Sequence, residues 1–165
     1  MRRGIAELTA AQRQEIIRQN WISHDARWFL KTAQELGFDV ANRLNHIVIR
    51  SMGKTEVKRW AQAVGLQGVK DIGQLVEVFD AVNKLYFPEQ VYRSGEVREN
   101  SFVGVVSRCF VAEMVRQAGA TNLYECACAA RFEGWLEACG FSGAATINKS
   151  MMKGDPECQI FISIK

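Results

Sequence analysis

The stretch that decides the fold is the C-terminal run "AATINKSMMKGDPECQIFISIK", residues 144–165. Its last eight residues alternate between two sides of an extended chain. The apolar residues Cys158, Ile160, Ile162 and Ile164 lie on one side. The other side carries Gln159, Phe161, Ser163 and Lys165. The "KGDP" that precedes them is rich in turn-forming residues. The run therefore predicts a β-hairpin, and thus an antiparallel sheet with one apolar face.

The region before this hairpin mixes strand and helix patterns. "QVYRSGEVREN" and "SFVGVVS" are rich in valine and aromatic residues, which predicts two strands or one long bent strand. "CFVAEMVRQAG" predicts a short helix that ends at Gly119, and "LYECACAARFEGWLEACG" predicts another that ends at Gly140.

The first half of the chain has helical periodicity. Thr9 with Gln12 has the form of a capping box, and a second helix is predicted from Ser23 to Gly37. Asp39 is the predicted cap of a third helix, which we expect "MGKTE" to interrupt before it continues to Gly65. Asp71 with Gln74 repeats the cap pattern, and Pro88 ends that helix.

These patterns predict an α+β fold, in which a helical N-terminal half packs on a C-terminal antiparallel sheet with inserted helices. We expect one domain over residues 1–165, with a helical part over 1–87 and a strand-helix-helix-hairpin part over 88–165. The chain is long enough to bury a substantial core.

Composition places the chain among soluble globular proteins, with 48% hydrophobic and 24% charged residues. No apolar run approaches the roughly 20 residues of a membrane helix. The N-terminal "MRRGIAEL" has no apolar segment typical of a secretory signal, so a cytoplasmic location is predicted. Five cysteines, an odd number, are then expected to be thiols. Residues 1–64 hold 11 Lys or Arg against 6 Asp or Glu, which permits an anionic partner.

Three motifs carry a family resemblance. The tail "KGDPECQIFI" resembles the end of 4-vinyl reductase type small-molecule-binding domains and of L-2-amino-thiazoline-4-carboxylate hydrolase-like proteins. W-x-x-H-D-x-x-W-F at Trp21–Phe29 and G-F-x-x-A-x-x-L-N at Gly37–Asn45 resemble an uncharacterised prokaryotic cytosolic family allied to them. The resemblance implies a 4-vinyl-reductase-domain-like fold, in which helices and a curved sheet enclose an apolar ligand cavity.

The motif around His24 has two interpretations. As a site, His24 is a general base, Asp25 orients it or holds a water, and Trp21 and Trp28 form an apolar wall. As a helix start, Ser23 is the N-cap and Asp25 complements the helix dipole. Adjacent helical residues point about 100° apart, so His24 and Asp25 do not aim into one pocket together.

The cysteines also have two interpretations. If Cys126 and Cys128 lie on one helix, they point in different directions and do not readily share a metal. A cluster of Cys109, Cys126 and Cys158 remains possible because they lie on different predicted elements, so a metal on the cysteines is possible though not favoured. Buried structural thiols are the favoured interpretation, since free cysteine is among the most buried residue types.

Two other ligand classes fit poorly. Haem is not expected: "YRSGE" at Tyr92–Glu96 matches the Y-x-S-x-R of the related haem-NO-binding fold only in part, with Glu96 in place of the arginine. The segment from Val57 to Phe79 loosely resembles a helix-turn-helix. Its second helix begins with Asp71, and acid there opposes phosphate binding, so nucleic acid is an unlikely partner.

The leading prediction is a cytoplasmic protein that binds a small, partly apolar molecule between helices and sheet. Arg98 or Arg108 would anchor a ligand carboxylate, although a solvated sheet face with charge pairs explains both arginines as well. The family resemblance implies an alternative, a hydrolase acting on a small cyclic amide or thiazoline carboxylate. The sequence assembles no nucleophile, base and orienting group, so binding is favoured over catalysis. A homodimer through an open sheet edge is also plausible.

Overall fold

The computed structural model describes residues 7–165, so "MRRGIA" lies outside the described residues. Five helices and four strands occur in that range: α1 (Ala10–Leu36), α2 (Phe38–Val64), α3 (Ile72–Tyr86), β1 (Val91–Arg98), β2 (Ser101–Arg108), α4 (Phe110–Gln117), α5 (Cys128–Ala138), β3 (Gly143–Lys149) and β4 (Cys158–Ile164). A single 3-10 turn over Met151–Lys153 joins β3 to the final strand. The α+β class predicted from the sequence is confirmed.

The chain forms two compact units, and the division between them falls within the sequence of α2. One unit ends at Ala41 and the other spans Asn42–Lys165. The first therefore contains α1, and the second contains the sheet and the remaining helices. The boundary falls well before residue 87, where the sequence changes from helical to strand-like patterns.

Helix α1 is one continuous helix, and the helix start predicted at Ser23 is wrong. Neither glycine nor proline occurs between its ends, so nothing interrupts the hydrogen-bond ladder. The capping box is present, because Thr9 N donates to Gln12 Oε1 at 2.9 Å and Gln12 N donates to Thr9 Oγ1 at 3.2 Å. Asp25 consequently lies in mid-helix, where its charge has no helix N-terminus to complement.

Replacement of the two candidate N-caps tests this helix boundary. We expect Thr9→Ala to destabilise the first turn by about 1 kcal/mol, because the hydrogen bond from Gln12 N to the Thr9 hydroxyl is lost. Ser23→Ala is the matched control and removes no cap, so exchange of the first-turn amides stays unchanged. Hydrogen-exchange mass spectrometry over both candidate first turns, residues 9–16 and 23–30, measures both variants. Faster exchange after residue 23 in Ser23→Ala would restore the two-helix interpretation.

Helix α2 runs without interruption through "MGKTE", where a break was predicted. Gly53 lies where the backbone of α5 packs against α2. A Cβ at this position would lie 2.5 Å from the carbonyl oxygen of Arg131, so only glycine fits. Gly134 of α5 packs against the backbone of α2 in the same way, since an added Cβ would lie 2.2 Å from the carbonyl oxygen of Arg50. Two glycines therefore allow the backbones of α2 and α5 to approach closely.

The sheet has the strand order β1-β2-β4-β3 and is antiparallel throughout. The predicted hairpin and its apolar face are confirmed: Ile160 and Ile162 are buried, while Phe161 is exposed on the opposite side. Phe79 of α3 contacts the rings of Phe102 in the sheet and Trp135 in α5 edge to face. One face of the sheet, α3 and α5 thus share a core.

Helix α3 begins as predicted, because Gln74 N donates to the Asp71 side chain at 2.9 Å. It ends at Tyr86, two residues before Pro88.

Within residues 7–165, none of the helices is both long enough and apolar enough to span a bilayer.

Candidate functional site

Four thiols meet at one small cavity in the second unit. Cys109 lies between β2 and α4, Cys126 lies in the loop before α5, Cys128 is the first residue of α5, and Cys158 is the first residue of β4. The remaining wall is almost entirely apolar and consists of Gln90, Val106, Val111, Ala112, Ile147, Met152 and Ile160. The volume is about 20 Å³, which is room for about one water molecule.

Two elements were predicted differently around these thiols. The predicted helix over residues 123–140 is wrong at its start, since α5 begins only at Cys128. The residue before it, Ala127, has φ −91° and ψ 12° and offers no side-chain cap, so the sequence has no signal for this start. Because Cys126 precedes the helix, the two side chains do not diverge as they would within it, and Cys128 joins the other thiols.

The close placement of Cys126 and Cys128 at this cavity separates their acidities. Interaction with the Cys128 side chain lowers the pKa of Cys126 to about 7, against the opposing effect of burial. The same interaction raises the pKa of Cys128, and burial raises it further. Burial raises the pKa of Cys109 and of Cys158 as well. Cys126 is therefore the thiol of this cavity that most readily becomes a thiolate.

Arg131 supplies positive charge beside the two thiols. Its Nη1 lies 3.5 Å from Glu56 Oε1, and its guanidinium carbon lies 4.4 Å from the centre of the Phe87 ring. Its charge also contributes to the lowered pKa of Cys126. In the part of the chain that the structure describes, no three His, Cys, Asp or Glu side chains are arranged to hold a metal ion.

An open groove of about 410 Å³ lies beside this cavity, between the end of α3 and β1. Its lining is mixed in character and consists of Asp80, Asn83, Lys84, Phe87, Pro88, Gln90, Tyr92, Arg93 and Ser94. Gln90 lines both the groove and the cavity. Its Nε2 donates to Asn83 Oδ1 at 3.1 Å, and the Asn83 amide donates to the Phe79 carbonyl at 3.0 Å. Gln90 is therefore held between the solvent and the thiols.

The motif around His24 lies on α1, in the first unit. The rings of Trp21 and His24 stack with centroids 6.2 Å apart. Trp21 is 55% exposed and Trp28 is 67% exposed, and the side chains of His24 and Asp25 are exposed too. Roles for these four residues in ligand binding or catalysis stay predictions.

Arg98 and Arg108 lie at strand ends and point to solvent. Arg98 Nε donates to Glu96 at 2.9 Å, and Arg108 Nε donates to Glu113 at 3.0 Å. Neither lines the cavity or the groove. They form surface charge pairs, as the less specific interpretation expects, and a ligand-anchoring role stays a prediction.

Comparison with known proteins is informative at the level of fold. No protein-family model matches the chain, and no curated protein matches it. The fold defines a class of α+β domains in which helices cover a four-stranded antiparallel sheet.

Two solved structures have this fold. One is a trafficking protein particle complex subunit 3 from Naegleria fowleri, covalently bound to palmitic acid, with a TM-score of 0.67 and 13% identity over 92% of this chain and 96% of that one. The other is the phenol-responsive sensory domain of the transcription activator PoxR with phenol, with a TM-score of 0.68 and 15% identity over 86% of this chain and 73% of that one. At these identities the similarity shows the fold alone.

Proposed function

We propose that the protein is a small-molecule-binding domain, and that its ligand enters through the groove, displaces Gln90 and occupies an enlarged thiol-lined cavity. The observation that carries this proposal is the position of Gln90 between a groove of ligand size and an apolar interior. Typical ligand sites combine an apolar pocket with a few polar groups. Here the Gln90 and Asn83 amides supply the polar groups.

The cavity must expand to accept a ligand, since it now holds about one water. Parts of its wall are suited to this movement. Cys126 belongs to a loop between α4 and α5, and Met152 belongs to the single 3-10 turn. Such segments lack the ladder hydrogen bonds that hold β2 and β4 in place, so they open at lower cost. The enlarged, dry interior would then favour an apolar ligand.

The similar structures support this class of ligand. One domain of the same fold holds phenol and another holds palmitic acid, so the fold accommodates apolar guests. Phenol combines an apolar ring with one hydroxyl, which matches an apolar cavity with one amide at its entrance. A ligand of this size and polarity is therefore the first choice for testing.

Catalysis is not required by the proposal. The hydrolase alternative assigns His24 as general base with Asp25 beside it, and Arg98 or Arg108 as the carboxylate anchor. Turnover of a thiazoline carboxylate that falls in His24→Ala would support that alternative. Equal turnover in the variant and the natural protein would remove His24 from the mechanism.

A matched pair of alanine substitutions tests the cavity. Ala112 and Ala145 are both buried, but only Ala112 lines the cavity. We expect Ala112→Val to weaken phenol binding by at least about tenfold, because two added methyl groups occupy the space that the ligand needs. Ala145→Val should leave the Kd unchanged. Isothermal titration calorimetry with phenol measures both values.

Two outcomes would contradict the proposal. One is the absence of heat of binding at millimolar phenol for the natural protein, with no shift in its Tm. The other is an equal loss of affinity in Ala112→Val and Ala145→Val, because that result would reflect general destabilisation of the core. Gln90→Ala provides a further check: opening the path to the cavity should speed phenol association.

A further inference from the structure

Cys126 and Cys128 are placed to react with each other. Their side chains line the same small cavity, and both residues are partly exposed to solvent. The chain turns at Ala127, where φ is −91° and ψ is 12°. A residue with these backbone angles holds the Cα atoms on either side of it closer together than an extended chain would, which favours a disulfide between them.

We propose that Cys126 and Cys128 form a reversible disulfide when the protein meets hydrogen peroxide. In the first step the Cys126 thiolate attacks the peroxide, which breaks the O–O bond and gives a sulfenic acid and hydroxide. In the second step the Cys128 sulfur attacks that sulfenic sulfur, and its proton leaves with the hydroxyl as water. Two thiols are oxidised, one peroxide is reduced to two waters, and no other co-reactant is needed.

Cys126 is the thiol expected to react first. The thiolate is the nucleophile, and the neighbouring Cys128 side chain together with the charge of Arg131 lowers the pKa of Cys126 and so favours its thiolate. The other thiols are disfavoured in this step, since burial raises the pKa of Cys109 and of Cys158, and raises that of Cys139 to about 11.

Cys128 is the expected second partner, because it lines the same cavity as Cys126 and a single residue separates them along the chain. A ring closed over so few residues is strained, and strained disulfides are the more easily reduced ones. The bond should therefore reverse with a simple dithiol reductant. The inference does not depend on ligand binding, although both concern the same cavity.

Tryptic peptide mapping tests the pair directly. Cleavage after Arg116 and Arg131 releases residues 117–131, which contain both cysteines of the pair. Cys109, Cys139 and Cys158 fall in three other peptides, 109–116, 132–149 and 154–165. After brief hydrogen peroxide treatment of the full chain and blocking of the remaining thiols, we expect peptide 117–131 to lose two hydrogen atoms, and dithiothreitol to reverse that loss.

Two variants sharpen the result. Cys128→Ser should leave a sulfenic acid on Cys126 that dimedone labels, whereas Cys139→Ser, a thiol outside the cavity, should behave as the natural protein. The proposal is overturned if peptide 117–131 keeps its reduced mass while another cysteine oxidises. It is equally overturned if the main product joins peptide 117–131 to 109–116 or 154–165. Phenol binding is measured on reduced protein, so failure of either proposal is visible separately.

Discussion

Gly134→Ala is expected to lower the free energy of unfolding by about 3 kcal/mol, at the upper end of the cost of overpacking a core. The added Cβ would lie 2.2 Å from the carbonyl oxygen of Arg50, which is rigid helix backbone rather than a flexible side chain. Relief requires α2 and α5 to separate, and this separation disturbs Trp135, a fully buried neighbour on α5. The helix propensity gained with alanine, about 1 kcal/mol, does not offset this loss.

Gly73→Ala is the matched control for this substitution. Gly73 also lies in a helix, but its nearest neighbour to an added Cβ is the Asp71 side chain, at 3.3 Å. We expect a change within about 1 kcal/mol, because only helix propensity and a small side-chain shift are involved. Urea unfolding followed by circular dichroism measures both variants. Equal stability of the two would contradict the close contact between α2 and α5.

Glu56→Ala is expected to cost about 3–5 kcal/mol, the range for removing one partner from a buried ion pair. Glu56 is 5% exposed, and its Oε2 accepts a hydrogen bond from Trp135 Nε1 at 2.8 Å. Its other oxygen lies 3.5 Å from Arg131. Alanine would leave a buried indole N–H without an acceptor and a guanidinium without its carboxylate.

Two comparison variants separate these effects. Glu56→Gln retains an oxygen that can accept from Trp135, so we expect it to recover part of the loss. Glu137→Ala removes a carboxylate that pairs with Arg50 and Lys54 at the surface, and exposed pairs contribute at most about 1 kcal/mol. Unfolding free energies in urea give all three values. If Glu137→Ala lowers the free energy of unfolding as much as Glu56→Ala does, the buried network contributes no more to stability than the exposed ion pairs.

Local chemistry explains which parts of the fold the sequence predicts. Thr9, Asp71 and the alternation around Ile160 act through neighbours in the chain, so their patterns are visible without tertiary structure. Gly53 acts through a helix nearly eighty residues away, and in the sequence it resembles a helix breaker. Its effect on the fold depends on tertiary packing, which periodicity does not report.

The thiol site illustrates the same limit. Cys109, Cys126 and Cys158 could be grouped from the sequence because they lie on different predicted elements. Cys128 could not, since the predicted helix began too early and turned its side chain away from Cys126. Gln90 was missed as well, because a lone glutamine in the loop after α3 belongs to no motif; only the cavity and the groove that it lines indicate a role.

The central claim is that a small apolar ligand occupies the cavity behind Gln90. A crystal structure of the protein soaked with 4-bromophenol tests it most directly, because the bromine gives an anomalous signal at one position. We predict a peak among Cys109, Ala112 and Cys126, with the Gln90 side chain displaced from Asn83. An unchanged, water-sized cavity with bromine only at the molecular surface would contradict the account.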